Sequence, residues 1–162
     1  TKCLQAIQED TRDHLLRKVG RMLWQNNGVK MRLTHAALLN DRFACIDRAD
    51  HGRYHLFTDA DGPDADPHDH AEWGFWSRIV SGGYVEHIFN SDGTYEVVTR
   101  KEGDNFRVEA DTVHRIVELL APETLTHVAP DVNTGNGPAM AYQYREDGIY
   151  KRPVFGGDWK KV

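Results

Sequence analysis

Two histidines and a glutamate lie close together near the middle of the chain, as His68, His70 and Glu72. If this stretch is a β-strand, its side chains alternate between two faces, so these three would share one face. At the usual strand rise the two histidines are about 6.6 Å apart along the backbone, and imidazoles bind divalent first-row metals at about 2.0–2.2 Å. The stretch is therefore a candidate metal site, although a chain with nine histidines can contain a His-x-His by chance.

A third histidine strengthens this hypothesis. His114 follows a turn rich in Gly and Asp and opens an apolar run over residues 116–120. Three histidines on one interior surface need either a metal ion or several hydrogen-bond partners, because each unpaired buried polar group costs about 1–3 kcal/mol. We therefore expect His114 to lie beside His68 and His70 in the folded protein.

The spacing of these histidines and of nearby glycines resembles the two motifs of the cupin family. The first motif is Gly, five residues, His-x-His, three or four residues, Glu, six residues and Gly. The second is Gly, five residues, Pro-x-Gly, two residues, His, three residues and Asn. The positions that match in register are Gly62, His68, His70, Gly82, Gly103 and His114. The match covers about residues 53–152 and implies an all-β fold, the cupin-type double-stranded β-helix or jelly-roll barrel.

The departures from the cupin motifs concern the usual fourth metal ligand. Phe75 occupies the position of the family glutamate, and Glu118 occupies that of the asparagine that ends the second motif. The resemblance then implies a site of three histidine ligands, His68, His70 and His114, as in the cupin dioxygenases that hold iron with three histidines.

Glu72 leaves two alternatives open for the ligand set. It could restore a carboxylate ligand beside the three histidines. It could instead form a His-x-Glu…His facial triad with His70 and His114, an arrangement that non-haem iron oxygenases use. His68 would then be a bystander. In each case the site would hold one divalent metal ion.

The elements that must position these residues begin with a helix. Apolar residues recur at steps of three and four over residues 1–25, and Asn26, Asn27 and Gly28 end the pattern. We predict that this N-terminal helix, within residues 1–27, packs on the outside of the barrel or on a partner subunit.

The remainder of the chain is rich in β-patterns separated by turn signals at short intervals, which is typical of a sandwich or barrel. Residues 35–47 fit a helix or a buried strand equally well. The predicted strands cover residues 29–33, 53–57, 75–81, 84–89, 94–101, 106–109, 114–120, 124–129, 139–145 and 149–153. We find no sign of a second domain and predict one cupin domain over residues 1–162.

Charge and composition narrow the classes of partner. The formal net charge of −5 argues against nucleic acids and anionic membranes, which favour basic surfaces, and no apolar run is long enough to span a membrane. The two cysteines, Cys3 and Cys45, fit a reducing compartment better than a disulfide-stapled secreted fold. We therefore predict a cytoplasmic protein with a small-molecule substrate. The N-terminal helix and the cupin resemblance together predict a homodimer.

Three neutral histidine ligands leave the charge of a metal dication uncompensated, so such a site suits an anionic chelating substrate. By resemblance to three-histidine cupins, we predict an Fe(II)-dependent dioxygenase that acts on a small organic acid or an amino-acid-like molecule. The first alternative is a metal-dependent isomerase, epimerase or lyase with Zn, Mn or Ni as a Lewis acid. The others are a cupin that binds a small molecule without turnover and a metal-free barrel with a hydrogen-bonded histidine cluster.

Several further side chains are candidates for contacts with the substrate or with the metal ligands. The candidates for catalysis are Glu72, Tyr84, Glu86, Tyr144 and Arg145, with Tyr142 on the same strand face as Tyr144. The candidates for binding a carboxylate through two hydrogen bonds are Arg78, Arg115 and Arg145. The candidates for orienting the imidazoles are Asp69 and Glu118.

Overall fold

One helix and twelve strands make up the regular structure of the part of the chain that the computed structural model describes, residues 9–27, 33–40, 43–48, 52–70, 73–131 and 137–162. The helix is α1 (Glu9–Asn27). The strands are β1 (Leu33–Asn40), β2 (Phe43–Arg48), β3 (Arg53–Phe57), β4 (Phe75–Ser81), β5 (Gly83–Phe89), β6 (Tyr95–Lys101), β7 (Asn105–Val108), β8 (Val113–Leu119), β9 (Thr124–Pro130), β10 (Met140–Arg145), β11 (Gly148–Pro153) and β12 (Lys160–Lys161). The mostly β fold with an N-terminal helix is therefore confirmed.

The strands form two antiparallel layers. The first layer is a sheet with the order β1-β2-β3-β9-β4-β7. The second layer contains two three-stranded pieces, β6-β5-β8 and β10-β11-β12, and His68 joins them because it pairs with His114 on β8 and with Ala141 on β10. Neighbouring strands are often distant in the chain, as the Greek-key connections of a jelly roll require. The cupin-type jelly roll predicted from the sequence is confirmed.

An apolar core fills the space between the two layers. Phe75 and Ile79 of β4 and Val128 of β9 come from the first layer, and they belong to one cluster with Tyr84 of β5 and Ile116 of β8 from the second. Because side chains alternate along each strand, every second residue of these strands reaches this interior. The same alternation brings polar side chains of β5 and β8 to the inner surface of the second layer.

Helix α1 packs on the outer face of the first layer. Val19 and Leu23 of the helix are fully buried, and they contact Tyr54 and Leu56 of β3 and Leu125 of β9. Of the two locations predicted for the helix, the outside of the barrel is therefore the one observed. Within the described residues, no helix is long and apolar enough to cross a membrane.

The region that the sequence left ambiguous is a hairpin. Strands β1 and β2 pair antiparallel with each other, and β2 continues the sheet by pairing with β3. Residues 1–8 and 28–32, which include parts of the predicted helix and first strand, lie outside the described residues. The short strand β12 was not predicted, because two lysines carry no apolar pattern.

The histidine motif differs from the strand that its alternation suggested. Residues 67–70 form isolated bridges to β8 and β10 instead of a continuous ladder, and β4 begins only at Phe75. Proline at position 67 has no N–H to donate, so it cannot extend a regular ladder. The alternation itself survives: His68 and His70 lie on one side of the segment and Asp69 on the other.

Two glycines of the cupin-like motifs lie in turns where the structure predicts different costs for adding a side chain. Gly82 (φ +85°) and Gly103 (φ +90°) both adopt the left-handed backbone region that L side chains rarely adopt. A Cβ at Gly82 would lie 2.5 Å from the carbonyl oxygen of Glu123, whereas a Cβ at Gly103 would meet open space. Gly103→Ala should therefore cost only the backbone strain of about 1–3 kcal/mol, and Gly82→Ala should cost more.

Urea unfolding of the two alanine variants beside the wild type measures this difference. Gly103→Ala is the matched control, because it introduces the same methyl group at a similar backbone angle without the clash. Equal losses in the free energy of unfolding would contradict the close approach at Gly82.

Candidate metal centre

Residues 67–70 are held between β8 and β10 by backbone hydrogen bonds. The amide and carbonyl of His68 bond to the carbonyl and amide of His114, both at 2.9 Å. On the other side, the amide of Tyr142 donates to the carbonyl of Pro67 at 2.8 Å. The position of His68 relative to His114 is therefore set by the sheet and not by a mobile loop.

The three motif histidines bring their rings together on the inner face of the second layer. The ring centroids of His68 and His70 are 5.3 Å apart, and each lies 4.9 Å from that of His114. One nitrogen of each ring lies within 4.8 Å of the other two. Two ligands on opposite sides of an ion are about 4 Å apart when each bond is about 2.0–2.1 Å. Small ring rotations would therefore let one ion contact all three nitrogens.

The protonation states of the histidines suit metal binding. Burial, and then the nearby His114, lowers the pKa of His68 from 6.5 to about 3. Burial, followed by the same neighbour and by His68 and His55, lowers the pKa of His70 well below 6.5. Both imidazoles are therefore neutral at physiological pH, and a neutral imidazole offers the lone pair that a metal ion binds.

Glu86 on β5 holds His114 in one orientation. Its Oε1 lies 3.0 Å from Nδ1 of His114, and its Oε2 accepts a 3.0 Å hydrogen bond from Nε of Arg100. Burial opposes the ionisation of Glu86, which is 1% exposed, but these two contacts outweigh it and lower the pKa. Because an ionised carboxylate only accepts hydrogen bonds, Nδ1 of His114 is the donor in this contact, and Nε2 is the nitrogen left to bind a metal ion.

One nitrogen of His70 is buried without a hydrogen bond. Within the described part of the chain, Nδ1 of His70 has no partner, and an unpaired buried polar atom costs about 1–3 kcal/mol. Coordination of the imidazole is an interaction that would offset this cost. The donor set of three imidazoles, one of them backed by a carboxylate, fits a divalent first-row metal ion.

Phe75, which replaces the usual cupin glutamate, forms an apolar wall beside the cluster. Its ring lies 5.0 Å from the ring of His70 at an angle of 87°, and it is 8% exposed. This position therefore contributes packing and exclusion of water where the cupin motif has a glutamate ligand.

Among the described residues, only His68, His70 and His114 form a group of potential ligands that could hold a metal ion together. Glu72 lies outside those residues. Its predicted roles as a fourth ligand, a base or a member of a facial triad therefore stay predictions.

Glu86 makes the kind of contact with an imidazole that we predicted for Asp69 and Glu118. Asp69 accepts hydrogen bonds from the amide of Met140 at 2.8 Å and from the hydroxyl of Tyr142 at 2.7 Å, so it ties the motif to β10. Glu118 is exposed. Glu86, which we predicted as a candidate for catalysis, is a carboxylate that contacts an imidazole.

The tyrosines predicted near the substrate lie elsewhere. Tyr84 is 4% exposed within the core cluster, with its ring 6.0 Å from that of Phe57. Tyr142 and Tyr144 lie on the face of β10 opposite to the histidines, since Tyr142 reaches Asp69 and Tyr144 stacks on Phe89 at 5.5 Å. The pairing of β10 with residues 67–70 decides which face of β10 lies beside the histidines. The local sequence pattern does not reveal this pairing.

The arginines predicted to bind a carboxylate have other surroundings. Arg145 is exposed, and its guanidinium donates twice to Oε1 of Gln143, at 3.0 and 2.7 Å. Arg78 is also exposed. Arg115 donates to the carbonyl of Ala65 at 3.0 Å. These contacts favour structural roles for Arg145 and Arg115.

Two residues near the cluster were missed at the level of sequence. His55 on β3 faces the barrel interior, because its neighbours Tyr54 and Leu56 pack against α1 on the outside. Arg152 lies across Ala141 from the histidine motif. Their positions depend on the pairing of β3 and β11 with distant strands, so no local signal could have found them.

No protein-family model matches the chain, and no curated protein matches it. Among solved structures, it is similar to Peruvianin-I, a cysteine peptidase from Thevetia peruviana latex, at 12% identity over 60% of this chain and 54% of that chain, with a TM-score of 0.42. It is similar to recombinant oxalate oxidase in complex with glycolate at 16% identity over 54% and 43%, with a TM-score of 0.40. It is also similar to the capsular polysaccharide assembling protein CapF from Staphylococcus aureus at 11% identity over 67% and 30%, with a TM-score of 0.47.

The chain spans between 30% and 54% of the length of these three proteins. Such distant likenesses say nothing about activity. The strand order and the histidine geometry of the chain itself define it as a cupin-like barrel with a three-histidine cluster that could hold a metal ion.

Proposed function

We propose that this protein is a mononuclear non-haem Fe(II) dioxygenase that acts on a small organic acid or an amino-acid-like substrate. The observation that carries the proposal is the convergence of three imidazoles, with one nitrogen of each within 4.8 Å of the others. Three histidine ligands supply no negative charge, so the charge of the ion would be left to be balanced by an anionic substrate. Fe(II), when bound, would supply the reactivity toward O₂.

The residues of the chain have distinct tasks in this proposal. His68, His70 and His114 hold the ion. Glu86 fixes the ring of His114 and keeps the proton on Nδ1, through the 3.0 Å contact with that nitrogen. Phe75 covers one side of His70 and keeps water from that side of the site.

The surroundings of Glu86 argue against it as the general base of an isomerase, epimerase or lyase, which leaves Glu72 as the predicted base for those reactions. Those reactions need a general base beside the substrate, and Glu86 was a candidate for that role. Its two oxygens are engaged by His114 and Arg100 and its pKa is lowered, so it is a poor proton acceptor. The small-molecule partner, the homodimer and the cytoplasmic location stay predictions.

Elemental analysis of protein purified without oxygen or added metal tests the proposal, with oxygen uptake measured on the same sample. We expect iron near one equivalent per chain and uptake stimulated by one or more small amino or carboxylic acids. Zinc, manganese or nickel without oxygen uptake would contradict the oxygenase and support the isomerase or lyase. No bound metal after reconstitution with each ion would contradict the metal site itself.

A further inference from the structure

Arg152 on β11 lies two strands away from His68 in the second layer. His68 pairs with Ala141 on β10, and Ala141 pairs with Arg152. Residues directly opposite each other in antiparallel strands point to the same face, and neighbouring strands are about 4.8 Å apart. Arg152 therefore shares the face of the histidines, with its Cα about 10 Å from that of His68.

A side-chain contact supports the shared face independently. Gln143, two residues after Ala141 on β10, donates to Oδ1 of Asp66 at 3.2 Å. Asp66 stands two residues before His68, so it lies on the same side of the chain as the histidines. In the row between Arg152 and His68 stands Ala141, whose side chain is a single buried methyl group.

The guanidinium of Arg152 packs on an aromatic ring, and its Nε has no polar partner among the described residues. It lies 4.7 Å from the ring of Trp159, and among the described residues its Nε is buried without a hydrogen bond. A cation–π contact stabilises the charge but does not satisfy the N–H groups. A buried N–H without an acceptor is unfavourable, so a carboxylate at this position would be bound with little competition from the protein.

Building on the metal site proposed above, we propose that Arg152 binds a carboxylate of the substrate while a second oxygen donor of the same molecule meets the histidine-held ion. Trp159 covers the guanidinium and helps to hold its orientation. The planar edge of the guanidinium can then form two parallel hydrogen bonds with a carboxylate. The substrate class is therefore a small acid with two anionic or chelating ends, such as an aliphatic dicarboxylate.

Calorimetric titration with acetate, malonate, succinate and glutarate tests this assignment in protein loaded with zinc, which does not react with O₂. The variants are Arg152→Gln, which removes the charge, and Arg152→Lys, which keeps the charge but cannot form two parallel hydrogen bonds with a carboxylate. The matched control is Lys151→Gln, because Lys151 is the exposed neighbour on the opposite face of β11. We expect one of the diacids to bind wild-type protein more tightly than acetate does.

The loss of one charge-assisted bidentate contact should weaken that diacid about 10- to 100-fold in Arg152→Gln. Acetate should be affected much less, and Lys151→Gln should bind as the wild type does. Equal diacid affinity in Arg152→Gln and wild type would overturn the assignment. An equal loss in Lys151→Gln and Arg152→Gln would also overturn it, because a general charge effect would then suffice.

A second measurement separates this assignment from the metal site. The Nε–H resonance of Arg152 in the metal-free protein, identified by its absence in Arg152→Lys, should shift when the preferred diacid is added. A shift supports the carboxylate site even if the protein binds no zinc, which would contradict only the proposed metal centre. If this resonance does not shift, either with zinc bound or without it, the role of Arg152 is overturned. This outcome is decisive even if Arg152→Gln fails to fold.

Discussion

Replacing His114 by alanine is expected to abolish metal binding while leaving the barrel folded. The change removes one of three nitrogens that lie within 4.8 Å of one another, and two neutral imidazoles alone are a weak set of ligands. The loss of affinity should exceed the 10- to 100-fold that removal of an orienting partner usually causes. Metal content after equilibration with a limiting chelator measures this loss, and far-UV circular dichroism reports on the fold.

The surroundings of His114 explain why the fold should survive. Glu86 loses one partner in His114→Ala, but its Oε2 keeps the hydrogen bond from Arg100, so the buried carboxylate is still paired. The matched control is His87→Ala, because His87 is similarly buried but stacks on Tyr95 away from the cluster. Wild-type metal occupancy in His114→Ala, or an equal loss in His87→Ala, would rule out His114 as a ligand.

The second large effect is expected for Glu86→Gln. A glutamine oxygen can still accept from Nδ1 of His114, but the change removes the negative charge that compensates Arg100. Loss of one member of a buried ion pair costs about 3–5 kcal/mol, and the partial exposure of Arg100 places the expected loss near the lower end. The affinity for metal should fall about 10- to 100-fold, because a neutral amide makes the imidazole a weaker donor.

Chemical denaturation of the metal-free protein and metal titration of the folded protein separate these two effects. Glu118→Gln is the control, since it makes the same chemical change at an exposed position of β8. A metal affinity in Glu86→Gln equal to that of the wild type would mean that Glu86 serves the fold alone. Unchanged stability would mean that its contact with Arg100 contributes nothing.

The sequence could predict those parts of the molecule that depend on local pattern. Period-two alternation and turn residues were enough for the strands from β3 to β11. The spacing of His68, His70 and His114 was enough to predict that these three histidines come together, because their types and intervals resemble those of the cupins. The position of Phe75 likewise indicated that the usual glutamate ligand is absent.

The remainder depends on which strands become neighbours, and this is not a local property. Glu86 contacts His114 because β5 pairs with β8 across a register shift, and a one-residue difference would have moved it to the other face. The same alternation places Tyr144 on the face away from the histidines and Arg152 on the face that they share. A sequence pattern shows that such side chains alternate, but not which face meets the histidines.

The backbone pairing of His68 with both β8 and β10 also has a consequence for how the second layer assembles. In the described part of the chain, the two pieces of the second layer meet through the backbone of the residue whose side chain belongs to the histidine cluster. An ion held by the cluster would link residues 67–70 to β8, because sliding of His68 and His70 past His114 would pull its ligands apart. Assembly of the sheet and assembly of the site would then be a single cooperative event, with the binding energy of the ion contributing to both.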